Sequence, residues 1–169
     1  ENILIITADM DLCQLLDDDI MIYNQSMKKY ITNKNFQSYF GFPHDNVLVK
    51  KVMCGDVSDN IGNIKGLSEK KFFEIMPEAK TRHVTVNEIK NRCQTLTEER
   101  AKEKKKPLQV HENILKGVSN KEYEGDFYDI NTKIIDLKNP ILTAECKEEM
   151  DSMIHAPLDP TDRSFQNLY

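Results

Sequence analysis

The sequence predicts an α/β fold in which a short parallel sheet at the start gives way to a mainly helical region. Three observations predict it. A continuous β-branched run, Asn2–Thr7, opens the chain. A leucine-bearing helix start and a second short apolar run follow, the strand–helix–strand order of a βαβ unit. From Asn35 onward, apolar residues recur at helical rather than strand spacing.

Asn2–Thr7 has the unbroken apolar character of a strand buried on both faces of a parallel sheet. Asp11 precedes Leu12, Leu15 and Leu16, with Gln14 three residues on, which reads as a helix start of the capping-box type. Ile20–Asn24 is a second strand and Lys29–Thr32 a third, linked as a hairpin through Gln25–Lys28. Phe36, Tyr39 and Phe40 share a helix face ended by Gly41 and Pro43. Val47, Leu48, Val52 and Met53 form the next helix, which Gly55 ends. Ile61–Ile75 reads as two short helices around the turn Lys65-Gly66-Leu67-Ser68, with Ser68 capping the second and Pro77 closing it. Thr85 with Glu88, Thr95 with Glu98 and Ser119 with Glu122 are capping-box pairs. Arg100–Lys106 is a charged run closed by Pro107, better read as a solvated helix end than as a phosphate contact. Tyr128–Leu137 alternates loosely and leans toward extended chain. Thr143–His155 is a helix, and Pro160–Tyr169 holds a last short one. The expected division is residues 1–55, 56–80 and 81–169.

Hydrophobic residues at 39% and charged residues at 30% describe a globular chain of 169 residues, long enough for a substantial core. No apolar run approaches the ~18 residues that span a bilayer, and no signal-peptide pattern opens the chain. The expectation is a cytoplasmic protein, in a bacterium or a phage-infected host. The first residue is Glu1 rather than Met, from which the chain is expected to begin partway into a longer protein. Cys13, Cys54, Cys93 and Cys146 lack close pairing, and His44, His83, His111 and His155 are equally scattered, so all eight read as structural or surface residues. The net charge of −5 argues against a uniformly basic binder but not against a local one.

Chemistry concentrates in two acidic pairs and one turn. Asp9 and Asp11 follow the first strand, at the edge where ligands gather in open α/β sheets. Asp56 and Asp59 are spaced to share one face. Any one of these aspartates alone is better explained by capping or turn formation. Both pairs together, followed by a lysine-rich turn, are harder to explain that way. Four converging carboxylates would repel one another unless a hard divalent cation, Mg2+ or Mn2+, relieved them, and two such ions would suit phosphodiester hydrolysis. Asp17, Asp18 and Asp19 read as a solvated loop. In the turn, Lys65, Gly66, Ser68, Lys70 and Lys71 offer flexible backbone, a helix start and positive charge. Lys70 and Lys71 stand against the macrodipole, a placement that a polyanionic partner explains better than local stability. Such a turn would grip a duplex through its phosphates rather than its bases.

At these residues the chain resembles the 5′-nuclease superfamily, which includes flap endonucleases and the 5′-nuclease domains of bacterial DNA polymerases. Thr7-Ala8-Asp9-Met10-Asp11-Leu12 resembles the family's strand-end motif, Gly55–Ile61 its G-D-x-x-D-N-I motif, and Ile64–Lys70 its helix–three-turn–helix. The layout is closest to the ribonuclease H and 5′→3′ exonuclease of T-even-like phages. The resemblance implies a Rossmann-like (PIN-like) sheet, and Asp9, Asp11, Asp56 and Asp59 as metal-binding catalytic residues. It also implies Lys70 as the basic residue of the DNA-binding turn. A potassium ion at the turn belongs to the same pattern, although Gly62-Asn63 and Ser68 depart from the usual Pro-Gly and later glycine. The implied partner is duplex DNA or an RNA–DNA hybrid with a 5′ end or flap. Replication proteins such as single-strand-binding protein or a sliding clamp are further implied partners. The family's earlier carboxylates and its arch have no counterpart in this sequence, so the chain alone is expected to bind duplex weakly and hydrolyse it poorly. Two rival readings stand beside this one. A haloacid-dehalogenase-type phosphatase would use Asp9 as nucleophile, and a non-catalytic DNA-binding module would keep only the turn.

Overall fold

The computed structural model describes residues 2–156. A three-stranded sheet is ordered β1 (Ile3–Thr7), β2 (Ile20–Asn24), β3 (Lys29–Ile31). β1 runs parallel to β2, with Ile3 opposite Ile20 and Thr7 opposite Asn24, and β3 returns antiparallel through a hairpin. Helices then follow: α1 (Phe36–Phe40), α2 (Val47–Cys54), α3 (Glu69–Ile75), α4 (Val86–Lys102), α5 (Gln109–Lys116), α6 (Phe127–Ile135) and α7 (Ala144–His155). Among the described residues, no helix is long and apolar enough to cross a membrane.

Two cores meet at α2. Cys13, Leu16, Ile22, Ile31, Phe36, Phe42 and Val47 fill the space between the sheet and the first helices. A larger core takes Val49, Val52 and Met53 of α2 and joins them to Ile64, Leu67, Phe72, Ile89, Ile114 and Phe127. Phe73 packs against both. α2 is therefore a shared wall, and a polar residue on it is held by packing from two directions.

The punctuation follows local chemistry. Gly41 ends α1 in the left-handed region at φ 78°, where a side chain would be strained. Thr85 and Glu88 form a reciprocal capping box at the start of α4, and Ser68, Asp126 and Thr143 each cap a helix through the side chain.

Several expectations are corrected. β1 is not buried on both faces: Ile3, Leu4 and Ile6 are 50%, 46% and 61% exposed, because β1 lies at one edge of the sheet and no layer among the described residues covers these side chains. Asp11–Leu15 is a 3₁₀ turn without a side-chain cap, not an α-helix. Residues 56–68 contain turns and isolated bridges, so α3 is the single helix of the expected pair around the glycine turn. Thr95 lies inside α4, where its hydroxyl donates to the Asn91 carbonyl, and Ser119 bridges to Ile64. Tyr128–Leu137 is mostly helix, since Phe127, Tyr128, Asn131 and Ile135 are buried at helical spacing. The short helix expected at Pro160–Tyr169 lies outside the described residues.

Candidate metal centre and lysine groove

The first acidic pair is set by the end of β1. Asp9 N–H donates to Thr7 Oγ1 at 3.0 Å, and Asp11 N–H donates to Asp9 Oδ1 at 2.9 Å. Asp9 thus spends its carboxylate on the backbone and starts the 3₁₀ turn that carries Asp11. The second pair follows α2. Gly55 stops that helix at φ 69° and ψ −176°, a conformation essentially restricted to glycine. Asp56 and Ile61 then exchange backbone hydrogen bonds at 3.1 and 2.8 Å, closing a loop that presents Asp56 and Asp59. Asp56 Oδ1 also accepts from Ser58 N–H at 2.8 Å and from the Ser58 hydroxyl.

Carboxylate oxygens of Asp11, Asp56 and Asp59 lie within 4.8 Å of one another, and Asp9 stands outside that group. At their centre is an ammonium group that sequence reading missed. Lys51 Nζ on α2 pairs with Asp11, with Asp59 at 2.8 Å and with Asp56 at 3.0 Å. Its side chain is 8% exposed. The sequence carries one weak signal for Lys51: it shares its helix with the apolar residues of a buried wall.

The charges respond to one another. Burial pulls the Lys51 pKa down, but its hydrogen bonds to Asp11, Asp59 and Asp56 outweigh that, and the net shift is upward. The Ser58 hydroxyl and Lys51 hold Asp56 at about 2. Asp11 moves the other way. Burial raises its pKa, with help from Asp9 and Asp59, despite the pull of Lys51. The geometry is that of a real ion pair, since Lys51 has all three of its donors directed at carboxylates. A 400 Å³ pocket opens beside the cluster, lined by Asp11, Lys51, Asp56, Lys50 and Glu69 over an aromatic floor of Phe36, Phe40 and Phe42.

The lysine turn builds a separate surface. Gly66 adopts φ 82°, and a side chain there would meet open space, so the backbone angle rather than crowding selects glycine. Lys65 is anchored through its backbone, its N–H donating to Val118 and its carbonyl accepting from Asn113 Nδ2 at 2.8 Å. A groove of about 840 Å³ runs between this turn and α5, lined by Lys65, Gly66, Lys71, Lys116, Gln109 and Asn113 with Leu108, Val110 and Val118. Among the described residues, no carboxylate lines it. Ser68 caps α3 instead of facing the groove, and Lys70 points outward, 87% exposed and 3.9 Å from Glu74. Lys116 and Gln109 were not singled out by sequence, since they stand on another helix with no motif of their own.

Among the described residues, the three aspartates are the only cluster of metal-ligating side chains. All four cysteines are free, and burial pushes the Cys13, Cys54 and Cys93 thiols up to about 11, 12 and 11.

Comparison with known proteins gives these features a context. No protein-family model matches the chain. It is 32% identical over 79 residues to a 5'-3' exonuclease of Mycoplasma pneumoniae, covering 44% of this chain and 27% of that protein. It is 36% identical over 70 residues to a 5'-3' exonuclease of Mycoplasmopsis pulmonis, covering 41% and 24%. A DNA polymerase I of Caldicellulosiruptor bescii is 31% identical over 83 residues, 46% of this chain and 10% of that one. The fold matches the T5 D15 protein co-crystallised with metal ions at a TM-score of 0.57 and 16% identity, over 80% of this chain and 43% of that one. T5 5'-exonuclease with bound zinc matches at a TM-score of 0.58 and 17% identity, over the same shares of the two chains. The matched region is about a quarter of each curated exonuclease and less than half of each T5 structure. In sequence and in fold alike, the chain is similar to the 5′-nucleases over part of their length.

Proposed function

We propose that this chain is the part of a divalent-metal-dependent 5′→3′ exonuclease or flap endonuclease that holds metal and grips duplex. Its substrate would be phosphodiesters in DNA or an RNA–DNA duplex. The observation that carries the reading is the convergence of Asp11, Asp56 and Asp59 around a cation, close enough to share one ion. The donor set fits Mg2+ or Mn2+: hard carboxylate oxygens, no sulfur or imidazole, and a site already stabilised by a positive charge in the form of the Lys51 ammonium. Asp11, Asp56 and Asp59 would hold the ion, and Asp9 would orient Asp11 through its backbone. A bound divalent ion supplies Lewis acidity and lowers the pKa of water.

The chain's own residues divide the remaining work. Lys51 holds the three carboxylates together before metal arrives, and offers positive charge to a phosphate once displaced from them. Lys65, Lys71 and Lys116 line a groove suited to a phosphate backbone. One carbonyl of the turn, that of Gly66, is taken by Lys71 Nζ at 2.9 Å, so a potassium ion there would have to displace it. The likeness to a DNA polymerase I points to replication as the setting, with single-strand-binding protein or a sliding clamp as candidate partners. Asp9, the nucleophile of the phosphatase alternative, has its carboxylate engaged by Asp11 N–H and stands apart from the other three, which favours the nuclease reading.

Titration calorimetry with manganese tests this. The wild-type chain is expected to bind Mn2+, and Asp56→Asn or Asp59→Asn to weaken binding at least tenfold, about 1.4 kcal/mol. Identical heats for all three proteins would overturn the metal reading.

A further inference from the structure

The loop that carries Asp56 and Asp59 is held locally by the Ser58 bonds to Asp56 and by Asn60 N–H to the Val57 carbonyl at 3.3 Å, and Lys51 of α2 pairs with both of its carboxylates. Its closure is the single Asp56–Ile61 bridge, Val57 at its tip is 98% exposed, and Asn60 sits in the left-handed region at φ 59°. A short loop of this kind, bearing two like charges, would ordinarily sample many arrangements. Its backbone is gripped in addition from a segment some sixty residues away. Lys121 Nζ donates to the Asn60 carbonyl at 2.6 Å and also to the Asn60 side-chain oxygen. The Tyr123 hydroxyl accepts from Gly62 N–H at 2.9 Å. Asn120 exchanges two hydrogen bonds with the Asn63 backbone, each 2.9 Å. Buried Asn131 donates to the carbonyls of Val52 and Gly62, both at 3.0 Å, and so ties the loop's exit to the helix that bears Lys51. The approach is tight: a Cβ on Gly62 would lie 2.7 Å from the Tyr123 hydroxyl.

We propose that the segment from Asn120 to Asn131, with Lys121 and Tyr123 as its main contacts, is a positioning clamp. It fixes the Asp56–Asn60 loop and thereby sets the affinity of the carboxylate cluster for a divalent cation. The inference rests on the metal reading of that cluster. Lys121 grips the residue next to Asp59, so it acts on a ligand without being one. Its amino group satisfies the Asn60 carbonyl in the backbone conformation that the loop needs.

Two measurements on the full chain test the clamp. Hydrogen exchange at the Asn60, Ile61 and Gly62 amides reads the loop without metal. Manganese titration reads the consequence. Lys121→Met keeps the aliphatic stem and removes the donor. It is expected to speed exchange at those amides at least tenfold and to weaken Mn2+ binding by roughly tenfold, the usual cost of losing support behind a ligand. Tyr123→Phe should act in the same direction more weakly, and Lys121→Arg should recover part of both effects. Ile89→Val is the control. It removes one buried methyl group from α4, outside the clamp and the loop, so the melting temperature should fall while manganese binding holds. Unchanged exchange in Lys121→Met would overturn the clamp. So would faster exchange with unaltered manganese affinity, because the loop would then move freely without affecting its ligands. A wild-type chain that takes up no manganese fails the metal reading separately, and the clamp's effect on affinity falls with it.

Discussion

The acidic cluster and the lysine groove are both charged, yet they are built in opposite ways. The cluster is assembled from a strand end, the last turn of a two-sided helix and a clamped loop, and each position is over-determined. Lys51 at its centre is nearly sealed from water. In the groove, by contrast, Lys65 is fixed only through its backbone and Lys71 rests on a nearby carbonyl. Charge held in a packed site is specified by geometry and sensitive to small changes. Charge on long, solvated side chains is specified by number and tolerates them.

The largest expected break in that contrast is Gly55→Ala. The new Cβ would lie 2.7 Å from the Ile61 carbonyl oxygen and 2.8 Å from the Gly62 carbonyl carbon, at a backbone angle that disfavours it. Neither backbone atom can yield without opening the Asp56 loop. A loss of about 3 kcal/mol in unfolding free energy, with lost manganese binding, is expected from denaturant titration and calorimetry.

Next comes Lys51→Met, which leaves three carboxylates facing one another without a cation. In EDTA the variant should be about 2 kcal/mol less stable, a value discounted for partners that remain partly exposed. Manganese should restore most of that loss and raise the variant's melting temperature more than the wild type's. Equal stabilisation of both proteins by manganese would mean that lysine and metal do not share the site.

The smallest effect belongs to the groove. Lys116→Ala should leave stability within about 0.5 kcal/mol of wild type. Measured by anisotropy in EDTA, it should flatten the dependence of duplex affinity on salt by about 0.9 in the log–log slope. Lys70→Ala, outside the groove, should leave that slope nearly unchanged, which sharpens the assignment of the groove to α5 and the turn.

Much of this was readable from residues alone where the signal is local. Gly41 and Gly55 as helix stops, Ser68 as a cap and the Thr85–Glu88 box all depend on neighbours within a few positions, and each appears as expected. Asp11, Asp56 and Asp59 were singled out by residue type and spacing and expected to converge with Asp9, but that Asp9 stands apart and a lysine fills the centre depends on how α2 packs between two cores. For the same reason Lys51, Lys116, Lys121 and Tyr123 were not singled out. α6 was misread because its buried face includes the polar Asn131, which blurs the helical period. β1 was misread because an apolar run signals intended burial and carries no information on which layers are there to cover it.

That strand has a consequence for handling the chain. An outer β-strand with apolar side chains on show is a template on which other extended segments can assemble, and nothing in β1 itself discourages this: Ile3–Ile6 contains no proline, no lysine and no bulge. Crowded solutions would therefore favour edge-to-edge stacking at this margin, and a single inward-facing charge on the strand would be the gentlest way to keep molecules apart.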